Sequence, residues 1–330
     1  MFGPNFETSL SVPEDGGVDE NWGVFPRVVH DVLNRMKSSG NDAWSLDASA
    51  IEFFLMGVFD LLDKKTALDI SSYADHKSYG EKQVNISSMQ DAVDFLATAY
   101  SARTVQATKL NAGSSRSHCA LTLTLNQLVE GKVLTTRFTL VDLAGAERLS
   151  KTGALEGSDQ SPAEALVNAL FKGEVTNAGT GLVINMELQE IGKEAVVAQG
   201  AHKNGKKYSP PKQMATAAMQ FVGHNYDASV HVGMVACLSQ APQNGWETWF
   251  SLNFGQNISN LAYVLKKCKA AKFDKALKEA KDTAKSTAEA LKKTPKDGPS
   301  AKWRPKKTAD KNVAANRLAA FERLEAQRGA

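Results

Sequence analysis

The chain predicts an α/β fold in which a mixed central sheet is layered between helices. Three observations predict it. Apolar residues recur with helical period in some segments and in strand-like runs in others. Hydrophobic residues make up 42% of the 330, enough for a buried core. Two strand patterns also meet at Glu130 and Gly131, a hairpin signal. Strands and helices in such an order build a sheet covered on its faces.

In chain order, Met1 to Asn21 is rich in Gly, Pro and acidic residues and reads as loop. Gly23 to Arg27 then opens a helix whose apolar face is Val28, Val29, Val32, Leu33 and Met36. Ala50 to Leu62 reads as one buried strand closed by Asp60 to Asp63. Ser87 to Tyr100 reads as a helix with Ser88 as cap, Asp91 in the first turn, and Ala92, Val93, Phe95, Leu96 and Ala99 as its buried stripe. Ser117 to Val129 and Lys132 to Leu143 form the hairpin. A stretch of Gly, Ser, Thr and Asn follows Gly145, and so long a loop is usually functional or disordered. A short helical piece is expected near Pro162 to Phe171, then helices from Ile184 to Ala198 and Pro211 to Val222. A strand is expected from Ser229 to Ser239 and a helix from Trp246 to Lys267.

Beyond residue 267 the composition changes, which divides the chain into a domain over 1–267 and a basic, helical or partly disordered tail over 268–330. Ala270 to Lys293 is dominated by Lys and Ala, with Phe273, Leu277 and Leu291 too sparse to build a core. Pro295 to Pro305 reads as a linker. Thr308 to Gln327 reads as a second short helix offering Val313, Leu318, Phe321 and Leu324 to a partner. The tail lacks the sustained heptads of a long coiled coil.

The net charge of +3 conceals an asymmetry. From Lys266 onward there are 19 Lys and Arg against 8 Asp and Glu, so the remainder, from totals of 39 and 36, is acidic. A basic tail of this kind favours an acidic partner surface through a long-range attraction that salt weakens. The three cysteines, Cys119, Cys237 and Cys268, form no CxxC pair and read as reduced thiols. Met1 to Leu10 has neither the basic stretch nor the apolar core of a secretion signal, and the most apolar run, Ala50 to Leu62, is interrupted by Glu52 and Asp60. Neither secretion nor membrane insertion is expected.

Two runs carry candidate chemistry. Asn111-Ala-Gly-Ser-Ser-Arg-Ser-His118 sets hydroxyls in a flexible turn before a strand. Such hydroxyls complete the coordination of magnesium, and backbone donors of a Gly-containing turn meet phosphate oxygens. The same run also suits an ordinary polar turn. Phe138 to Asp142 is a mostly apolar strand that delivers a carboxylate to its carboxyl end, where ligands bind in open α/β sheets. There Asp142 either holds a magnesium-bound water or caps the next turn. Gly145 leaves backbone N–H free to approach a terminal phosphate.

Taken together and in order, these runs resemble the kinesin motor superfamily, whose patterns are close to NxxSSRSH and DLAGSE; the second departs at Ala146. Gly23-Val-Phe-Pro-Arg27, Phe59-Asp-Leu-Leu62, Ile184-Asn-Met-Glu-Leu188 with Ile191-Gly192, and Leu252-Asn-Phe-Gly-Gln256 with Asn260 extend the likeness over residues 1–267. The resemblance implies ATP and magnesium as cofactors if the site is functional. Asn111, Ser114, Ser115, Asp142 and Gly145 would then face the nucleotide, with Ser115 and Asp142 on magnesium through water. Arg116 and Glu147 would be the charge pair that closes the two switches and, with Ser115, Asp142 and Gly145, the catalytic set. It also implies microtubules as partner, with Lys203, Lys206, Lys207 and Lys212 as a basic patch toward acidic tubulin, and a cytoplasmic, cytoskeletal location. A second kinesin chain is a further candidate partner. Nucleic acid is not expected.

One family element is not found. A phosphate loop needs GxxxxGK followed by Ser or Thr, and no such string occurs. Anchored on Gly23 to Arg27, its place falls at Phe2 to Leu10. There Phe6 and Thr8 replace glycines, Ser9 replaces Lys, Leu10 replaces the hydroxyl, and Glu7 adds a carboxylate. The strands that precede this loop in the family are expected to be missing, through truncation, remodelling or supply by a partner. Three functions follow: a microtubule binder with little or no ATP turnover, an ATP-hydrolysing motor using an atypical or absent phosphate loop, or a non-catalytic scaffold for an active kinesin.

Overall fold

The computed structural model describes residues 1, 12–14, 16–40, 43–109, 116–146, 161–211, 216–262 and 268–328. The predicted layered α/β architecture is what forms. Helix α1, Val24–Ser38, leads into strand β1, Ala43–Phe54. Strands β2, Gly57–Asp60, and β3, Thr66–Ala67, follow, then a single-turn helix α2, Tyr73–His76, and the short β4, Val84–Asn85. Helix α3, Met89–Lys109, precedes β5, His118–Val129, and β6, Lys132–Asp142. Helices α4, Pro162–Val167, α5, Asn177–Lys203, α6, Ala217–Gly223, and α7, Gly245–Ser259, come next. Strand β7, Ala271–Lys272, and helices α8, Phe273–Lys293, and α9, Arg304–Arg328, complete the described chain.

The sheet runs β3-β2-β1-β5-β6-β7, with β4 also on β1, and each of these pairings is antiparallel. Side-chain alternation sorts its two faces. Leu46, Ala48 and Ala50 of β1 and Leu121 and Leu123 of β5 pack with Phe25, Val29 and Leu33 of α1 and Phe95, Leu96 and Ala99 of α3. Ile51 and Phe53 on the opposite face meet Tyr73, Tyr79 and Phe221. A separate core joins Ile184, Leu188 and Ile191 of α5 to Met219 of α6 and Phe254 and Ile258 of α7.

The hairpin turns where expected, at Glu130 and Gly131, both with positive φ, as a two-residue turn compatible with strand twist requires. Elsewhere the structure corrects the sequence. Ala50 to Leu62 is not one strand: Phe54 pairs with Gly57 across a reversal in which Leu55 adopts positive φ. The apolar Leu55 and Met56 gave no turn signal. Ser229 to Ser239 pairs with no strand among the described residues; Met234 and Ala236 lie near Gly255 of α7, and Val235 is 88% exposed. Its β-branched composition needs a ladder neighbour to become a strand, and no described strand pairs with it. The helix expected to reach Lys267 stops at Ser259, where the Asn260 N–H closes onto the Gln256 and Ile258 carbonyls. Pro211 lies outside α6, which starts after the Thr216 cap.

The expectation that Phe273 and Leu277 are too sparse for a core is also overturned. Alanines fill the gaps: Phe273, Ala276, Leu277 and Ala280 of α8 pack with Ala320, Phe321 and Leu324 of α9 and with Ala43, Leu128 and Val133 of the sheet. Helix α9 is fastened further by Asn312 to the Gly80 carbonyl at 3.1 Å and Asn316 to the Glu81 carbonyl at 2.9 Å. Gly80 has φ +76, and a Cβ there would fall 2.6 Å from the Ala309 Cα, so only glycine admits α9 this closely.

Candidate functional site

The antiparallel register of β5 and β6 sets Cys119 opposite Asp142. It therefore gathers residues 116–118, at the start of one strand, and 142–146, at the end of the other, at one end of the sheet. Helix α3 sends Arg103 into this junction. Its guanidinium donates to Asp142 Oδ2 at 2.9 Å and to the Ser117 carbonyl at 3.0 Å. Arg103 is buried, and the Asp142 side chain is 45% exposed. Burial opposes the Arg103 charge, but Cys119, Asp142 and Glu52 around it outweigh that and raise its pKa. Burial also pushes the Cys119 thiol up to about 12, Arg103 pulling only partly the other way, so this cysteine is an uncharged packing group.

A second polar chain supports the same end. Ser117 Oγ donates to Glu52 Oε1 at 2.8 Å, and Lys65 approaches the other Glu52 oxygen at 2.5 Å. Glu52, which looked like an interruption in an apolar run, is thus a buried acceptor for Ser117 and an ion-pair partner of Lys65. His118 makes a third link: Nδ1 accepts from the Ala144 N–H at 2.9 Å and Nε2 lies 2.9 Å from Glu187 Oε2 of α5. Arg116 hydrogen-bonds the Asn177 side-chain oxygen at the start of α5. Thr176 caps that helix by accepting from the Gly179 N–H at 3.0 Å.

Of the predicted site residues, Asp142 and Gly145 of the nucleotide-facing set and Arg116 of the charge pair lie at this end of the sheet. Gly145 is exposed, and among the described residues nothing lies within 4 Å of where a Cβ on it would fall. Asn111, Ser114, Ser115 and Glu147 lie outside the described residues, so the hydroxyl side of the magnesium set and the expected partner of Arg116 do too. Among the described residues no group of three His, Cys, Asp or Glu side chains is arranged to hold a metal ion. The described part fits a nucleotide-bound magnesium in one respect: Asp142 is accessible and has a second oxygen for a metal-bound water. It fits less well in another, because Arg103 already compensates the Asp142 charge.

The basic residues sit at the other end of α5. Lys203, Lys206 and Lys207 are exposed around its C-terminal turn, where the Gly205 N–H meets the His202 carbonyl and the Lys206 N–H the Ala201 carbonyl. At about 1.5 Å per residue the helix carries them roughly 24 Å from Glu187. Beside them Tyr208 is buried and donates to Glu194 Oε2 at 2.6 Å; burial, then that bond, raises the phenol pKa. Lys212 lies outside the described residues. Sequence inspection missed Arg103, Glu52, Lys65 and Glu187. A charged residue inside an otherwise apolar helix or strand pattern was the available signal for Arg103 and Glu52.

Comparison with known proteins agrees with this architecture. The family described as "Kinesin motor domain" matches residues 14–174. Kinesin-like protein KIN-1 of Arabidopsis thaliana is 29% identical over 253 residues, spanning 74% of this chain and 49% of that protein. Kinesin-related protein 3 of Dictyostelium discoideum is 34% identical over 178 residues, 51% of this chain and 15% of its own length. The chain thus spans about half or less of the length of these relatives. Among solved structures, one of a fast kinesin superposes with a TM-score of 0.51 at 22% identity, covering 82% of this chain and 68% of the other. A KIF14 dimer with AMP-PNP in complex with a microtubule gives 0.56 at 24% identity, covering 78% and 69%. At these identities the structures share the fold. No helix among the described residues is long and apolar enough to cross a membrane.

Proposed function

Because the chain belongs to the kinesin motor domain superfamily, we propose that it is a microtubule-binding protein whose nucleotide site turns over little or no ATP. The observation that carries this is the residue set at Phe2 to Leu10. Where triphosphate binding calls for a lysine, two glycines and a hydroxyl, this chain has Ser9, Phe6, Thr8 and Leu10, with Glu7 between. Backbone donors and a lysine cradle the phosphates in such loops, and a carboxylate among them repels the ligand. The ion pair of Asp142 with Arg103 adds support, since it lowers the negative charge offered to a metal-bound water. Microtubule contact runs through Lys203, Lys206 and Lys207 at the C-terminal turn of α5, with Lys212 beside them in sequence, against an acidic polymer surface.

A second reading, a motor that hydrolyses ATP through an atypical phosphate grip, is favoured by the accessible Asp142 and the exposed Gly145. Steady-state ATP hydrolysis with and without microtubules, beside cosedimentation with and without nucleotide, separates the two. Pelleting independent of nucleotide, with no stimulated hydrolysis, is expected. The triple substitution of Lys203, Lys206 and Lys207 by Ala should weaken pelleting about tenfold or more at low salt. Microtubule-stimulated turnover lost in Asp142→Ala would establish the motor instead. Absence of pelleting at low salt would leave a scaffold role.

A further inference from the structure

We propose that His118 is a positioning residue that locks the loop carrying Gly145 to helix α5, so that the two move as one body. The inference follows from donor and acceptor logic. The Ala144 N–H only donates, so His118 Nδ1, 2.9 Å away, is the lone-pair acceptor and carries no proton. The ring's proton therefore sits on Nε2 and is donated to Glu187 Oε2 at 2.9 Å. One backbone amide thus fixes the tautomer, and the tautomer fixes the bond to the helix.

His118 and Glu187 side chains are 2% and 3% exposed, so water does not compete for either bond. Glu187 Oε1, also buried, has no hydrogen-bond partner among the described residues. A buried carboxylate in that state costs stability, and the cost is offset only while His118 holds the other oxygen.

Seven residues further along α5, Glu194 accepts from Tyr208, the residue that follows Lys206 and Lys207. The helix therefore carries two buried carboxylates. One grips the residue 142–146 loop through an imidazole, and the other grips the basic turn through a phenol. A displacement of Ala144 draws on His118, then α5, then the turn bearing Lys206 and Lys207. The meaning of that transmission, phosphate-side loop to polymer-side turn, rests on the proposed function; the linkage itself does not.

Amide hydrogen exchange on the full chain tests it. Glu187→Leu keeps the side-chain volume and removes the acceptor, and should speed exchange at the Ala144 amide about tenfold. Glu187→Gln retains an oxygen acceptor and should leave that rate within about twofold. Equal rates at Ala144 in wild type and Glu187→Leu would overturn the linkage. Should Glu187→Leu not fold, nitrogen NMR of the wild-type ring decides. A bare Nδ1 with protonated Nε2 supports the proposal, and a protonated Nδ1 overturns it. Loss of pelleting by the wild type would sink the functional reading and leave these measurements untouched.

Discussion

Asp91 shows how one side chain fixes an element boundary. Its Oδ2 accepts from the Ser87 N–H at 2.8 Å, the Ser87 hydroxyl at 2.6 Å and the Ser88 N–H at 2.9 Å, while Ser88 Oγ accepts from the Asp91 N–H at 3.1 Å. This reciprocal cap starts α3, the helix that delivers Arg103. Slight burial pushes the Asp91 carboxyl up, but the bonds from Ser87 and Ser88 outweigh it and hold the pKa below the ordinary value. A depressed folded-state pKa contributes stability that is present above the unfolded value and lost as pH falls through the folded one. Asp91→Ala should therefore cost about 1 kcal/mol at neutral pH in urea titrations, with the difference from wild type closing below about pH 4. Ser88 and Asp91 were legible in the sequence because capping is local. The partners of Arg103 were not, because Asp142 lies 39 residues away and only strand register brings it near.

At the scale of elements, α8 and α9 depart furthest from expectation. The sequence suggested a solvated basic arm. Arg323 of α9 instead donates to Ser45 Oγ at 2.9 Å and pairs with Asp47, both on the buried face of β1. Burial raises the Asp47 pKa even though Arg323 acts to lower it. The sign is thus opposite to that of Asp91: for a raised folded-state pKa, the contribution is most favourable below the unfolded value and is lost as pH rises through the folded one. Arg323→Ala leaves the buried Asp47 carboxyl without its compensating charge and should cost about 3 kcal/mol at neutral pH. The loss should be smaller in acid, where Asp47 is protonated, and chemical denaturation at two pH values measures the contrast. Charge count alone hid this role. A basic residue counted as free for a partner is spent inside the chain when a buried Asp awaits it.

Across the whole molecule, the two faces of the sheet are covered by different parts of the sequence. Helices α1 and α3, from the first third of the chain, cover one face. On the other, α6 covers the end near Phe53, while α8 and α9 cover the end near Ala43, Leu128 and Val133. Removing residues 268–330 should therefore expose an apolar sheet end. The shortened chain should melt at lower temperature and bind a hydrophobic dye, in contrast to the neutral outcome a dispensable tail would give. Local periodicity made the helices and the hairpin legible. The order of strands, the fate of Ser229 to Ser239 and the docking of α9 depend on contacts between distant segments, which no window of sequence displays.

The fastening of α9 also bears on the order in which the protein is made. The Trp44 N–H donates to Gln327 Oε1 at 2.9 Å, across 283 residues. Strand β1 leaves the ribosome early, yet its buried Ser45 and Asp47 receive Arg323 only when translation is almost past residue 328. At roughly 5–20 residues per second that interval lasts on the order of tens of seconds. Through it, Ala43, Ser45 and Asp47 depend on whatever shields a nascent chain, and a stall before Arg304 leaves that end of the sheet without α9.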